Sequence, residues 1–355
     1  MKIGITCADE SKVWNNGLHQ NAYNLYKLYQ KLNFNVSLVS QKKEYTKVFE
    51  DNIVFLDSET IKKFDVILEV SESLTDSNYS IFIKNNKKVI SINYGNLLMV
   101  FNEHIIADKK QAFCFSRENV ENWYSPHFYF SEGLTRVTSK KEGKICPYIW
   151  SPDFLVKYSS KNNFDIFKAA ENLDPSKLAM LEPNLNFMKS CIYPIIGCEI
   201  LENRDSKKIS QIMTFGTDNI KDSKSFIEMI KKFEIFKTKK ISFENRYSYP
   251  YLIKSGHIGT VVSNNIYNDL NYLTLESLFL NIPIVHNSKF CKEAGYYYES
   301  PFDGIGISNQ IENAIDNFNY NKKIYSESAK EVIWKFSPEN PDNIKTYKEL
   351  LESAM

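Results

Sequence analysis

Short, continuous runs of apolar and β-branched residues alternate along the whole chain with longer amphipathic stretches. The first half carries KIGIT (2–6), NVSLVS (35–40), NIVFL (52–56), DVILEV (65–70) and KVISINY (88–94). A helix is expected over 17–32 and another running into Ile83. The second half carries KLAMLEP (177–183), ISQIMTFG (209–216), KKISFEN (239–245), HIGTVVS (257–263) and IPIVHNS (282–288). Helices are expected there over 188–201, 223–236, 249–254 and 272–280. A strand that is apolar on both faces has to be buried on both, and a parallel sheet with helices on either side does this. The pattern predicts an α/β fold of two successive Rossmann-like units.

With 355 residues the chain exceeds what one hydrophobic core usually serves. The expected division is one α/β domain over 1–150 and a second over 151–330. ICPYIWSPDFL (145–155), with two prolines and the anchors Tyr148 and Trp150, reads as a semi-rigid connection, and the polar KYSSKNN (157–163) follows it. SPENP (337–341) interrupts a helical C-terminus, so residues 331–355 are expected to pack back on the first domain.

Lys+Arg 44 against Asp+Glu 43 leaves a net charge of +1, which argues against a polyanion binder held by global charge. The six cysteines include no CxxC pair, so neither a disulfide framework nor a zinc site is expected. No stretch approaches the roughly 18 apolar residues of a membrane span, so a cytoplasmic protein without stable membrane insertion is expected. GxGxxG and GxxxxGK[ST] are absent, which argues against a dinucleotide dehydrogenase and a P-loop phosphotransferase. HExxH, DxD and GxSxG are absent too, so no metal and no cofactor are expected.

The residues that can carry chemistry lie just past strand ends. Trp14, Asn15, Asn16 and Gly17 form a polar loop entering the first long helix, where backbone N–H groups meet an anion or a polyol. Glu182 and Asn184 follow a strand and precede a helix expected to include Lys189, whose cation is placed to meet a phosphate. Arg246 lies past another strand, in SFENRY. The densest segment is SNNIYNDLNYLTLESLFLNIPIVHNS (263–288). There the helix start at Asn271 and Tyr272 offers N–H groups to a diphosphate, and Glu276 can accept from ribose hydroxyls. His286 is a further candidate to meet the donor.

The Glu-Ser-Leu-Phe-Leu-Asn-Ile-Pro-Ile-Val stretch (276–285) resembles the donor-site helix and following strand of GT-B glycosyltransferases. Asn281 stands where glycine is usual. Asn268, with Asp269 beside it, stands where retaining members often carry a second glutamate. VWNNGLHQN, FDVILEV, YIWSP, LEPNLNFMKSCIYP, FENR, LNYL and PIVHNSKF resemble, in order, a group of bacterial and phage proteins predicted to be GT-B glycosyltransferases. This resemblance covers nearly the whole chain and implies the GT-B architecture, two Rossmann-like domains facing across a cleft, with a nucleoside-diphosphate sugar donor on the nucleotide-sugar domain over 151–330 and the acceptor on the acceptor-side domain over 1–150. In an inverting enzyme a base must face the acceptor hydroxyl, for which His19, Asp9 and Glu10 are candidates. Lys189 is then expected to serve catalysis by neutralising the leaving diphosphate.

The expected activity is therefore metal-independent transfer of a hexosyl or pentosyl group to an acceptor hydroxyl. The acceptor is either a surface or capsular glycan, or a hydroxymethylated base in phage DNA. For DNA the lysine-rich loops at 84–88, 138–144 and 231–240 would have to build a cationic groove. The alternatives are a nucleotide-sugar epimerase of the same architecture and a non-catalytic nucleotide-sugar-binding protein.

Overall fold

The computed structural model describes residues 1–7, 17–42, 53–106 and 117–355. They form two compact units, Met1–Ser151 with Phe336–Met355, and Pro152–Lys335. The first unit runs β1 (Lys2–Thr6), α1 (Leu18–Lys31), β2 (Asn35–Ser40), β3 (Val54–Phe55), β4 (Val66–Glu69), α2 (Asp76–Lys84), β5 (Lys88–Asn93), α3 (Leu97–Ile106), β6 (Glu121–Tyr124), α4 (Glu132–Ser139) and β7 (Lys144–Ile145). Its seven strands form one parallel sheet in the order β3-β2-β1-β4-β5-β6-β7. Ile3 pairs with Val36 on one side and Val66 on the other, so the apolar runs occupy the centre of the sheet. On one face Phe64, Phe82, Val89 and Val120 close a core with Val39 and Ile67.

The second unit runs α5 (Asp153–Lys161), α6 (Ile166–Glu171), β8 (Lys177–Met180), α7 (Ile192–Arg204), β9 (Gln211–Phe215), α8 (Lys224–Ile230), α9 (Glu234–Lys237), β10 (Ile241–Glu244), α10 (Tyr249–Lys254), β11 (Thr260–Val262), α11 (Tyr272–Phe279), β12 (Ile284–His286), β13 (Tyr296–Tyr297) and α12 (Gly304–Lys335). Its six strands are again all parallel, in the order β10-β9-β8-β11-β12-β13. α12 lies close against α7, because a Cβ at Gly197 would sit 2.4 Å from Ile307.

The last helix, α13 (Pro341–Ala354), returns to the first unit. Tyr347 is fully buried there. Its hydroxyl donates to the Pro147 carbonyl at 2.6 Å, and its ring meets Tyr29 edge-on. The proline at 341 that interrupts the sequence pattern occupies the first turn of α13, where no amide donor is needed, and Asn340 caps it.

Several elements differ from the sequence reading. β6, β7, β13, α3 and α4 carry too few patterned residues to stand out. KYSSK (157–161) is the end of α5. The helix expected over 223–236 is two, because Phe233 is extended and the Glu199 carboxylate accepts from the amides of Glu234 and Ile235 at 2.9 and 3.1 Å, restarting the helix. Tyr148 and Trp150 of the expected connection are buried in the first unit.

Candidate functional site

In an open parallel sheet, ligands bind beyond the C-terminal strand ends, at the point where the chain connections leave in opposite directions. In the second unit that point lies between β8 and β11. Glu182 follows β8 and is 1 % exposed; its Oε1 accepts from the Ser263 hydroxyl at 2.7 Å and the Asn264 amide at 3.1 Å, both just past β11. One carboxylate thus ties the two central strand ends together.

Asn184 shapes the loop that follows. It adopts a left-handed conformation (φ 49°), donates from Nδ2 to the carbonyls of Glu182 and Gly216 at 2.8 and 3.2 Å, and accepts the Cys191 amide at 2.9 Å. These bonds hold 182–191 as a closed loop. Lys189 consequently does not belong to α7, as the sequence suggested. The helix begins at Ile192, and Lys189 forms an isolated antiparallel bridge with Asn265.

Burial raises the Glu182 carboxyl, against the hydroxyl of Ser263, the charge of Lys189 and the amide of Asn264. Burial lowers the Lys189 ammonium, with Glu182 favouring its charge and Arg246 opposing it. Glu182, Asn184, Lys189 and Arg246 are therefore brought together. Asn271, Tyr272 and Glu276 follow on α11, which leaves the same end of β11. The Asn271 side chain caps this helix by accepting the Leu273 amide at 3.2 Å. Glu276 is buried in its second turn within electrostatic reach of Tyr249.

The sequence reading missed a polar network behind these groups. The side chain of Asn287 accepts the Asn265 amide and donates to its carbonyl, at 2.9 and 2.7 Å. The Tyr298 hydroxyl lies 2.8 Å from both the Ser263 carbonyl and Asn264 Oδ1. The polar triplet 263–265 straight after an apolar strand was a usable signal; Tyr298 had none. Asn268, where the retaining pattern has an acid, reaches Asn265 at 3.5 Å. His286 is committed internally, for Nε2 lies 2.8 Å from the Ala294 carbonyl and Nδ1 accepts the Ser288 amide at 3.1 Å. Burial pushes its imidazole down to about 4.

In the first unit the corresponding point lies between β1 and β4. A pocket of about 550 Å³ opens beside it, beyond the ends of β4 and β5, lined by residues that include Leu18, Glu69, Glu72, Asn93 and Arg117. Glu69 accepts from the Leu74 amide at 2.7 Å and pairs with Arg117 at 3.0 Å. Gly17 precedes α1, and His19 is buried in its first turn, one residue from the pocket-lining Leu18. Asp9, Glu10, Trp14, Asn15 and Asn16 lie outside the described residues. Among the described residues no group of three or more His, Cys, Asp or Glu side chains is placed to hold a metal ion, and no helix is long and apolar enough to cross a membrane.

Solved structures that share the fold include these three. HepE from Anabaena, in complex with UDP and glucose, superposes with a TM-score of 0.57 at 11% identity, over 99% of this chain and 100% of that one. An alpha-glucosyltransferase in complex with UDP and a 13-mer DNA containing a HMU base gives 0.57 at 13%, over 100% and 99%. Sucrose-phosphate synthase from Thermosynechococcus elongatus gives 0.56 at 10%, over 99% and 99%. The fold is therefore GT-B. No curated protein matches the chain in sequence. The family described as "Protein of unknown function (DUF2827)" matches residues 2–351, and with nearly its whole length so matched the chain belongs to the DUF2827 family.

Proposed function

We propose that the protein is a glycosyltransferase that moves a hexosyl or pentosyl group from a nucleoside-diphosphate sugar to an acceptor hydroxyl. The observation that carries this reading is the Lys189 ammonium, held in a poorly solvated position with Arg246 nearby, at the strand-end position where parallel sheets take ligands. A cation that burial disfavours gains most from an added negative partner, and a diphosphate is one. The start of α11 adds the positive end of a helix dipole, and Glu276 serves the ribose. Fixed positive groups act most strongly where charge develops, here on the departing diphosphate. In this reading Lys189, Arg246 and α11 stand in for a divalent ion, so transfer persists in a chelator.

The structural neighbours support the donor class, since HepE and the alpha-glucosyltransferase are both described with UDP. The pocket of the first unit takes the acceptor, with His19, Asp9 or Glu10 as the base. Its described lining holds three carboxylates, Glu69, Glu72 and Asp76, against one guanidinium, Arg117, already paired with Glu69. That lining suits a neutral glycan better than the phosphates of DNA.

A thermal-shift screen against nucleoside diphosphates and their sugars tests the reading, because a ligand of the native state raises its apparent stability. Stabilisation by at least one of them, lost in Lys189→Ala, is expected; no response to any removes the reading. A new sugar nucleotide formed without acceptor would indicate an epimerase instead.

A further inference from the structure

The pair Glu182 and Asn264 has a geometry that the diphosphate does not use. Both side chains are buried, at 1 % and 0 % exposure, and both lie between the two central strand ends of the second unit. Each has one polar atom fixed. Glu182 Oε1 is held by Ser263 and by the Asn264 backbone, and Asn264 Oδ1 lies 2.8 Å from the Tyr298 hydroxyl. Each has its other polar atom, Glu182 Oε2 and Asn264 Nδ2, buried with no hydrogen-bond partner among the described residues. Native proteins rarely leave such atoms unmatched, because the desolvation is then uncompensated.

An acceptor oxygen and an amide donor, presented by neighbouring residues whose other atoms are locked, complement a group that both donates and accepts. A hydroxyl does this; a phosphate, which offers acceptors alone, meets the carboxylate oxygen unfavourably. Lys189 and Arg246 lie close by for the diphosphate, so the neighbouring hydroxyls are those of the sugar attached to it. We infer that Glu182 and Asn264 read hydroxyl groups of the transferred sugar. This rests on the donor-site reading above and adds to it the residues that distinguish a sugar nucleotide from a bare nucleotide.

The test compares UDP with UDP-glucose, UDP-galactose and UDP-xylose, and GDP and ADP with their glucose conjugates, by calorimetry on the full chain. Glu182→Gln replaces one acceptor oxygen by a donor at constant shape, and Tyr298→Phe releases the Asn264 amide without touching a ligand. Expected is an affinity loss of about tenfold or more for the preferred sugar nucleotide in Glu182→Gln and a smaller loss in Tyr298→Phe. Affinity for the matching nucleoside diphosphate should stay within about twofold in Tyr298→Phe; in Glu182→Gln, which also removes the carboxylate beside Lys189, it should change clearly less than affinity for the sugar nucleotide. Equal losses for nucleotide and sugar nucleotide, or none, overturn the inference and leave the donor site standing, as would be the case if only water occupies these atoms. If wild-type protein binds no nucleotide at all, the donor site and this inference fall together.

Discussion

Glu182, buried, and Lys189, half-buried, lie seven residues apart at the same strand-end position, and each favours the charged form of the other. Burial works against both charges. A partly compensated pair of this kind responds to an arriving anion through its lysine, which connects the electrostatics of this loop to binding.

Diphosphate binding should therefore depend on pH through Lys189. Its ammonium is held below the ordinary lysine range, so the free protein loses this charge at a lower pH than an exposed lysine would. Binding is complete below that lowered pKa and weakens as pH rises through it, while a bound diphosphate raises the pKa and draws in a proton. Calorimetry of nucleoside diphosphate binding in buffers of different ionisation enthalpy should show proton uptake on the alkaline side. Lys189→Met should abolish the uptake and weaken binding about tenfold or more.

His286 makes the second unit sensitive to acid. The imidazole titrates near 6.5 when unfolded and at about 4 in the fold, so the fold favours the neutral form. Its contribution is fully present above pH 6.5 and is lost as pH falls through 4, on the order of 3 kcal/mol in all. Denaturant unfolding across that range should show the loss, and His286→Gln should flatten the profile at a lower overall stability.

Asn271 caps α11 through the Leu273 amide. Asn271→Ala should cost about 1 kcal/mol, whereas Asn271→Asp or Asn271→Ser should be close to neutral. Thermal unfolding of the three variants decides this, and a cost in alanine no greater than in serine would show that the cap contributes nothing.

Gly216 has a left-handed backbone (φ 71°), and a Cβ there would lie 3.1 Å from the Glu182 carbonyl oxygen. Gly216→Ala should cost roughly 1 kcal/mol from the backbone alone. It should also loosen the loop that Asn184 holds, which a reduced thermal shift with nucleoside diphosphate would register.

Arg117 meets the buried Glu69 at 3.0 Å and lies over the Tyr79 ring. Arg117→Ala leaves that carboxylate its bonds to Leu74 and Ser91 but removes its cation. A loss of about 2 kcal/mol in the first unit is expected by denaturant unfolding. Arg117→Lys should recover it only in part, since lysine lacks the planar fork.

Most strands were legible in the sequence because a strand covered on both faces is apolar at every position, as in Val66–Leu68 and Val261–Val262. Short edge strands such as β7 and β13 escaped because two residues carry no period. Helix breaks escaped where a distant group makes them, as the Glu199 carboxylate does at Phe233. In the candidate site, Glu182, Asn184 and Arg246 could be picked out because each follows a strand end by two to four residues, while Lys189, nine residues past β8, was picked out by its charge and expected in a helix. Ser263, Asn264 and Tyr298 were not singled out, because their role depends on which strands lie side by side.

The sequence by itself determined the α/β class, a chain long enough for two cores and the turn-rich positions where polar groups can gather, since all of these follow from local pattern and burial. Strand order was decided by tertiary structure alone. It places β8 beside β11 across some eighty intervening residues, and so sets Ser263 and Asn264 against Glu182. No local pattern encodes that adjacency, because parallel pairing is settled by how helices cover the sheet on both faces.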